Sequence, residues 1–182
     1  MKTSQTVSEV ESLRSFGVIE KPDEKIARTI AAGLEASGVL FFGTKEHPEL
    51  WAMELGGELA QFRDSNALLL IFSPKAKTVS EDHLRCRCVL LPGDAAGAAS
   101  RFLYADCAVS YGMSPRDTIT LSSIEEENLS LAIQRELVTV DGKVVEQQEI
   151  QLHRNPGLLP ETILAAAGAL LLLGVPPEAL RF

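Results

Sequence analysis

The run Ala67 to Phe72 (ALLLIF) limits the fold more than any other stretch of this sequence. It is too short for an ordinary helix and does not alternate, so it suits a strand buried on both faces. Sheets covered on both faces are mostly the parallel sheets of α/β proteins. Other short apolar runs repeat the signal: Phe16 to Ile19, Val39 to Phe42, Trp51 to Leu55, Cys86 to Pro92 and Cys107 to Gly112. After the first of these, Ile26, Ile30 and Leu34 recur at helical spacing beside Ala27 and Ala31, and Gly38 is placed to stop that helix. Pro22 suits its first turn, and Asp23 and Glu24 complement the positive end of its dipole. A short helical turn (ELAQFR) is expected before ALLLIF, and a helix of small residues (AAGAASRFLYA) after Asp94.

From Thr118 the pattern changes to short alternating segments. Asp141-Gly142 predicts a hairpin between Leu137–Val140 and Val144–Ile150. Glu125 to Glu127 reads as a solvated turn or edge. A helix from Pro160 to Leu173 closes the chain. Its apolar stretch, Ile163 to Val175, falls short of the roughly 20 residues a membrane span needs, so a buried helix is expected. The expectation is one α/β domain over residues 15–182 after a lead-in of 1–14: a mostly parallel sheet flanked by helices, then an antiparallel β ribbon and an apolar helix.

Charge narrows the partners. With 17 Lys+Arg against 25 Asp+Glu, the net charge is −8, which argues against nucleic acid and against anionic membrane surfaces. The polar start MKTSQTVSEVES holds no signal-peptide core, and three cysteines leave one unpaired, so reduced thiols in a cytoplasm are expected. Cys86 and Cys88 share one face of a strand without a zinc spacing, and read as small buried hydrophobes. No G-x-S-x-G motif and no Cys–His arrangement for nucleophilic catalysis stands out.

The order of pieces carries a resemblance. RCVLLPGDAAGAASRFLYADCAVSYGMSPRDTITLSSI looks like a strand ending in an Asn-x-Asp-Asp type turn, a helix, a "TYG" segment and a β ribbon. ILAAAGALLLLGVPPEAL, WAMELGGELAQFRDSNALLLIFSP and ARTIAAGLEASG look like further segments of the same domain. Together they resemble the central, P-loop-like domain of the Mur ligases, ATP-dependent amide-bond ligases of cell-wall precursor synthesis. The resemblance runs over roughly residues 16–180, and the ligases' flanking substrate and closing domains have no counterpart in it.

The family's phosphate loop reads G-T-N-G-K-[ST]; here the stretch is Glu20-Lys21-Pro22-Asp23-Glu24-Lys25-Ile26, without glycine. The resemblance implies that Lys25 is a remnant of the loop lysine, Glu54 of a magnesium-binding glutamate, and Asp94 of the Asn-x-Asp-Asp turn, where it also suits a helix cap. His83, in EDHL, matches a segment whose histidine reaches metal, and Lys75 or Lys77 would echo the family's carbamylated lysine. The family's adenine-side His-Asn motif falls on PGLLPET and is lost; His153 and Asn155 stand out of register with it. Asp23 and Glu24 put negative charge where a triphosphate would lie. The expectation is a degenerate, non-catalytic domain acting in binding or assembly, as a homodimer or with a protein partner, and without a cofactor. The alternative is the nucleotide-binding subunit of an ATP-dependent amide ligase, using ATP and Mg²⁺ with a partner chain.

Overall fold

Short apolar strands need a layer packed against them, and both described helices pack on one face of a single sheet. The structure, a computed structural model, describes residues 14–21, 23–38, 50–55, 69–76, 84–95 and 103–182. The strands are β1 (Arg14–Ile19), β2 (Leu50–Leu55), β3 (Leu69–Phe72), β4 (Leu84–Pro92), β5 (Leu103–Gly112), β6 (Ile119–Ile124), β7 (Asn128–Ile133), β8 (Leu137–Val138), β9 (Val144–Val145) and β10 (Gln148–His153). Among the described residues the α-helices are α1 (Ile26–Ala36) and α2 (Pro160–Leu172). An eight-stranded sheet runs in the order β10-β7-β6-β5-β4-β3-β1-β2. Neighbours from β2 to β6 are parallel, and β6–β7 and β7–β10 are antiparallel. The fold is therefore α/β, with a mostly parallel sheet, flanking helices and an antiparallel ribbon. Val39 to Phe42 and the ELAQFR turn lie outside the described residues.

All four residues of β3 are buried, as the unbroken apolar run predicts. Leu69 and Ile71 face the main core with Phe16, Val18, Leu90 and Val109, against α1 and α2. Leu70 and Phe72 join a second cluster with Ile19, Val89 and Leu91. The two helices differ in kind. α1 buries one stripe, Ile26, Ala27, Ile30, Gly33 and Leu34. In α2 every residue from Thr162 to Leu172 is buried, which makes it an interior helix. No described helix is long and apolar enough to cross a membrane.

Three boundaries depart from the sequence reading. α1 begins at Ile26 rather than near Pro22, because Glu24 N donates to Lys21 O at 3.0 Å and residues 23–24 are used up in a turn. Leu103 to Ala105 extend β5 instead of ending a helix, since they pair with Leu84 to Cys86 of β4. Val144–Ile150 is not one strand. Val144 and Val145 pair with Val138 and Leu137 in a separate small sheet, whereas β10 leaves to pair with β7. The Asp141-Gly142 turn itself forms as expected, with Gly142 at φ 85 and its N–H bonded to Thr139 O at 2.9 Å. Glu125 to Glu127 are exposed and turn the chain from β6 to β7.

One connection positions the site. Parallel neighbours normally require a long crossover, yet β5 passes to β6 through residues 113–118 alone. Only Tyr111↔Ile119 and Gly112↔Thr120 overlap. The chain sidesteps by one strand and continues in the same direction.

Candidate functional site

β3, β4 and β5 point the same way, so the turns that follow them gather at one end of the sheet. In open α/β sheets this is the end where ligands bind. Here the turns enclose a cleft of about 590 Å³, between Pro74 after β3, Gly93 and Asp94 after β4, and Met113 to Asp117 after β5. Glu161, at the start of α2, closes one side. A smaller recess of about 180 Å³ shares Pro74 and Glu161 and reaches Glu24 and Thr162.

The floor of the cleft is held by groups with internal partners. Tyr111 is 1% exposed, and its hydroxyl donates to Phe72 O at 2.6 Å. Burial, and then the nearby Glu24, Asp94 and Glu161 carboxylates, push the phenol well above its ordinary range, so it serves as a neutral donor. Asp117 is also buried, and its Oδ2 accepts from Ser114 N at 3.1 Å. The carboxylate fills the space above two glycines. A Cβ on Gly93 would collide with Asp117 Oδ1, and one on Gly112 would meet Oδ2 at 2.5 Å. Thr118 N donates to Ser110 Oγ at 3.1 Å, which completes the sidestep into β6. Asp117, Gly93 and Gly112 thus form one interlocked unit.

Beside this cleft, the chain leaves β1 and enters α1, the stretch set against a phosphate loop in the sequence resemblance above. The helix's first amides already have an anionic partner. Glu20, 6% exposed, accepts from Ile26 N at 2.6 Å through Oε2 and from Ala27 N at 3.1 Å through Oε1. The N-terminus of a helix favours a negative charge at this place, and phosphates use the same donors. This corrects the assignment of Asp23 and Glu24 to that role. Glu24 turns away: its Oε2 accepts from Lys21 N at 2.7 Å and from Ser73 Oγ at 2.6 Å. Asp23 is exposed and pairs with Lys75 at 3.1 Å.

Lys25 occupies the residue before α1 with φ 61 and ψ 16, the left-handed region, and its side chain is exposed. Asp94 is exposed in the turn after β4, on the rim of the cleft. The backbone of Glu54 lies in β2 opposite Val18, at the far edge of the sheet. Three strand spacings separate β2 from β4, roughly 14 Å across the sheet. The Glu54 side chain, His83, Lys77 and Pro22 lie outside the described residues. The β2 backbone of Glu54 thus lies across the sheet from the turn after β4 that carries Asp94. Asn155 is occupied by its own turn, its Oδ1 accepting from Gly157 N at 3.0 Å, and His153 is exposed at the end of β10.

Cys86 and Cys88 are buried, as read from the strand pattern. Burial pushes the Cys86 thiol up to about 12 and raises Cys88 further, aided by the facing Cys107. Both are small apolar fillers at neutral pH. Sequence reasoning missed Glu20, Ser73, Tyr111 and Asp117. The last had a usable signal, because Ser114-Pro115-Arg116-Asp117 has the composition of a turn whose side chains bond its own backbone.

No family model matches the chain, and no curated protein matches it.

Proposed function

We propose that this chain is a Mur-ligase-like central domain whose nucleotide site has been given up, and that it acts in binding or assembly rather than catalysis. One observation carries the proposal. Glu20 holds the two amides that would cradle a phosphate, and holds them from a buried position. A triphosphate would have to displace a carboxylate of its own sign from these amides, which is unfavourable. Lys25 supplies no counter-charge at that point, being exposed and outside the helix. The resemblance to the ligases is supported by the order of parallel strands, antiparallel ribbon and apolar helix read from the sequence.

Titration calorimetry with ATP–Mg²⁺ and with ADP tests this. The expected result is no binding heat with nucleotide at about 1 mM, an affinity weaker than about 4 kcal/mol. Micromolar binding that disappears in Glu54→Ala would establish the alternative, a nucleotide-binding subunit of an amide ligase, and end this proposal.

A further inference from the structure

The antiparallel end of the sheet is open on one side. β10 stands last in the strand order and pairs only with β7. Arg154 N donates to Glu127 O at 2.8 Å, in line with the β10–β7 register. Bonded and non-bonded pairs alternate along an antiparallel ladder. Gln148, Ile150 and Leu152 therefore turn their backbone groups to β7, while Glu149, Gln151 and His153 aim theirs outward. Among the described residues no backbone hydrogen bond meets those three on the open side. Residues 148–153 contain no proline or lysine, and the pairing with β7 has no bulge, so three of the devices that blunt an edge are missing.

We infer that β10 pairs with β10 of a second copy of this chain, antiparallel about a two-fold axis through Gln151. This deepens the assembly reading above and rests on it. Parity fixes the choice of register, since only outward-aimed residues can form the bonded pairs across the axis. Centring on Gln151 pairs all three: Glu149 with His153, Gln151 with Gln151, and His153 with Glu149. On the core side Ile150 meets Leu152 of the second copy, and both already belong to the main core. On the solvent side Glu149 of each copy faces His153 of the other. The strand is thus complementary to itself even though each chain carries a net charge of −8. Such an interface is isologous and closes at two subunits.

Sedimentation velocity of the full chain, from about 5 to about 500 µM, reads the association, and the small contact area places the midpoint in the upper micromolar range. Gln151→Pro removes an N–H aimed at the open side and spares the backbone bonds to β7, losing only the Gln151 Nε2 donation to Ser130 Oγ; it is expected to weaken association at least about tenfold with its folded circular dichroism spectrum retained. Cysteine pairs read the register, because bonded neighbours lie about 5.5 Å apart between Cα atoms and suit a disulfide. Gln151→Cys is expected to cross-link on mild oxidation. Glu149→Cys and His153→Cys are expected to cross-link only when mixed. A chain monomeric up to the highest concentration, or Glu149→Cys linking to itself as fast as Gln151→Cys, overturns the inference. Nucleotide binding would overturn the proposal of the preceding section and leave this cross-linking pattern unchanged, so the two failures are distinguishable.

Discussion

The two helices pack on the same face of the sheet, yet their starts are built in opposite ways. α1 begins with donors that are satisfied by one specific carboxylate, Glu20, reaching from the end of β1. α2 begins at Pro160, which has no donor to satisfy, and no side chain caps it. Instead α2 is held by its interior position, and Thr162 Oγ1 donates to Glu24 O at 3.2 Å. The contrast separates two sources of order. α2 is placed by apolar packing that tolerates many residues at its start, and α1 is placed by a polar contact that tolerates few.

The largest expected effect tests the packing side. Leu170 is fully buried in α2 within the main core. Leu170→Ala should cost about 2–5 kcal/mol of unfolding free energy by urea titration, through lost transfer energy and the cavity left behind. A cost below about 1 kcal/mol would mean that α2 is not held by its packing.

Next comes the polar side. Glu20→Ala leaves two buried amides unsatisfied and should cost about 1–3 kcal/mol, lowering the melting temperature by roughly 2–4 °C per kcal/mol for a chain of this size. Glu161→Gln, at the first turn of α2, is the matched control and should leave the melting temperature unchanged. Equal effects at the two positions would erase the contrast between the helix starts.

The same contrast explains what could be read from the sequence. β3 and α2 were legible because their identity lies in a local apolar run, and burial enforces whatever such a run implies. The Asp141-Gly142 turn was legible because positive φ demands a particular residue type. The start of α1 was not legible. Three acids, Glu20, Asp23 and Glu24, stand within reach of it in sequence, and only the folded path of residues 20–25 selects among them. The turn closed by Glu24 N and Lys21 O directs Glu24 to Ser73, a residue far along the chain. The cleft was partly legible: Asp94 falls on its rim, whereas Asp117 gains its place from two glycines, one just after β4 and one at the end of β5. The extension of β5 into a stretch of small residues is also a tertiary effect, since pairing with β4 overrides helix propensity there.

The smallest effect concerns the acid left over at the α1 start. Asp23 pairs with Lys75 at 3.1 Å, with side chains 69% and 47% exposed respectively. The hydrogen bond from Lys75 is the largest influence holding the Asp23 carboxyl below its usual 3.8, and the same bond raises Lys75 above its usual 10.5. A depressed carboxyl stabilises the fold above its unfolded value and loses that contribution as pH falls through the folded value. A raised ammonium stabilises below its unfolded value and loses its contribution as pH rises through the folded one. The pair therefore acts across the whole neutral range and fades only at the acid and alkaline extremes. Because both groups are solvated and screened, its effect on stability should be slight and should shrink with salt. An NMR titration of the Asp23 carboxyl should give a midpoint below 3.8 that rises toward the usual value in Lys75→Ala. An unperturbed midpoint in the native chain would show that Asp23 is unpaired in solution, leaving it available to the positive end of α1 and weakening the case that Glu20 alone holds that helix start.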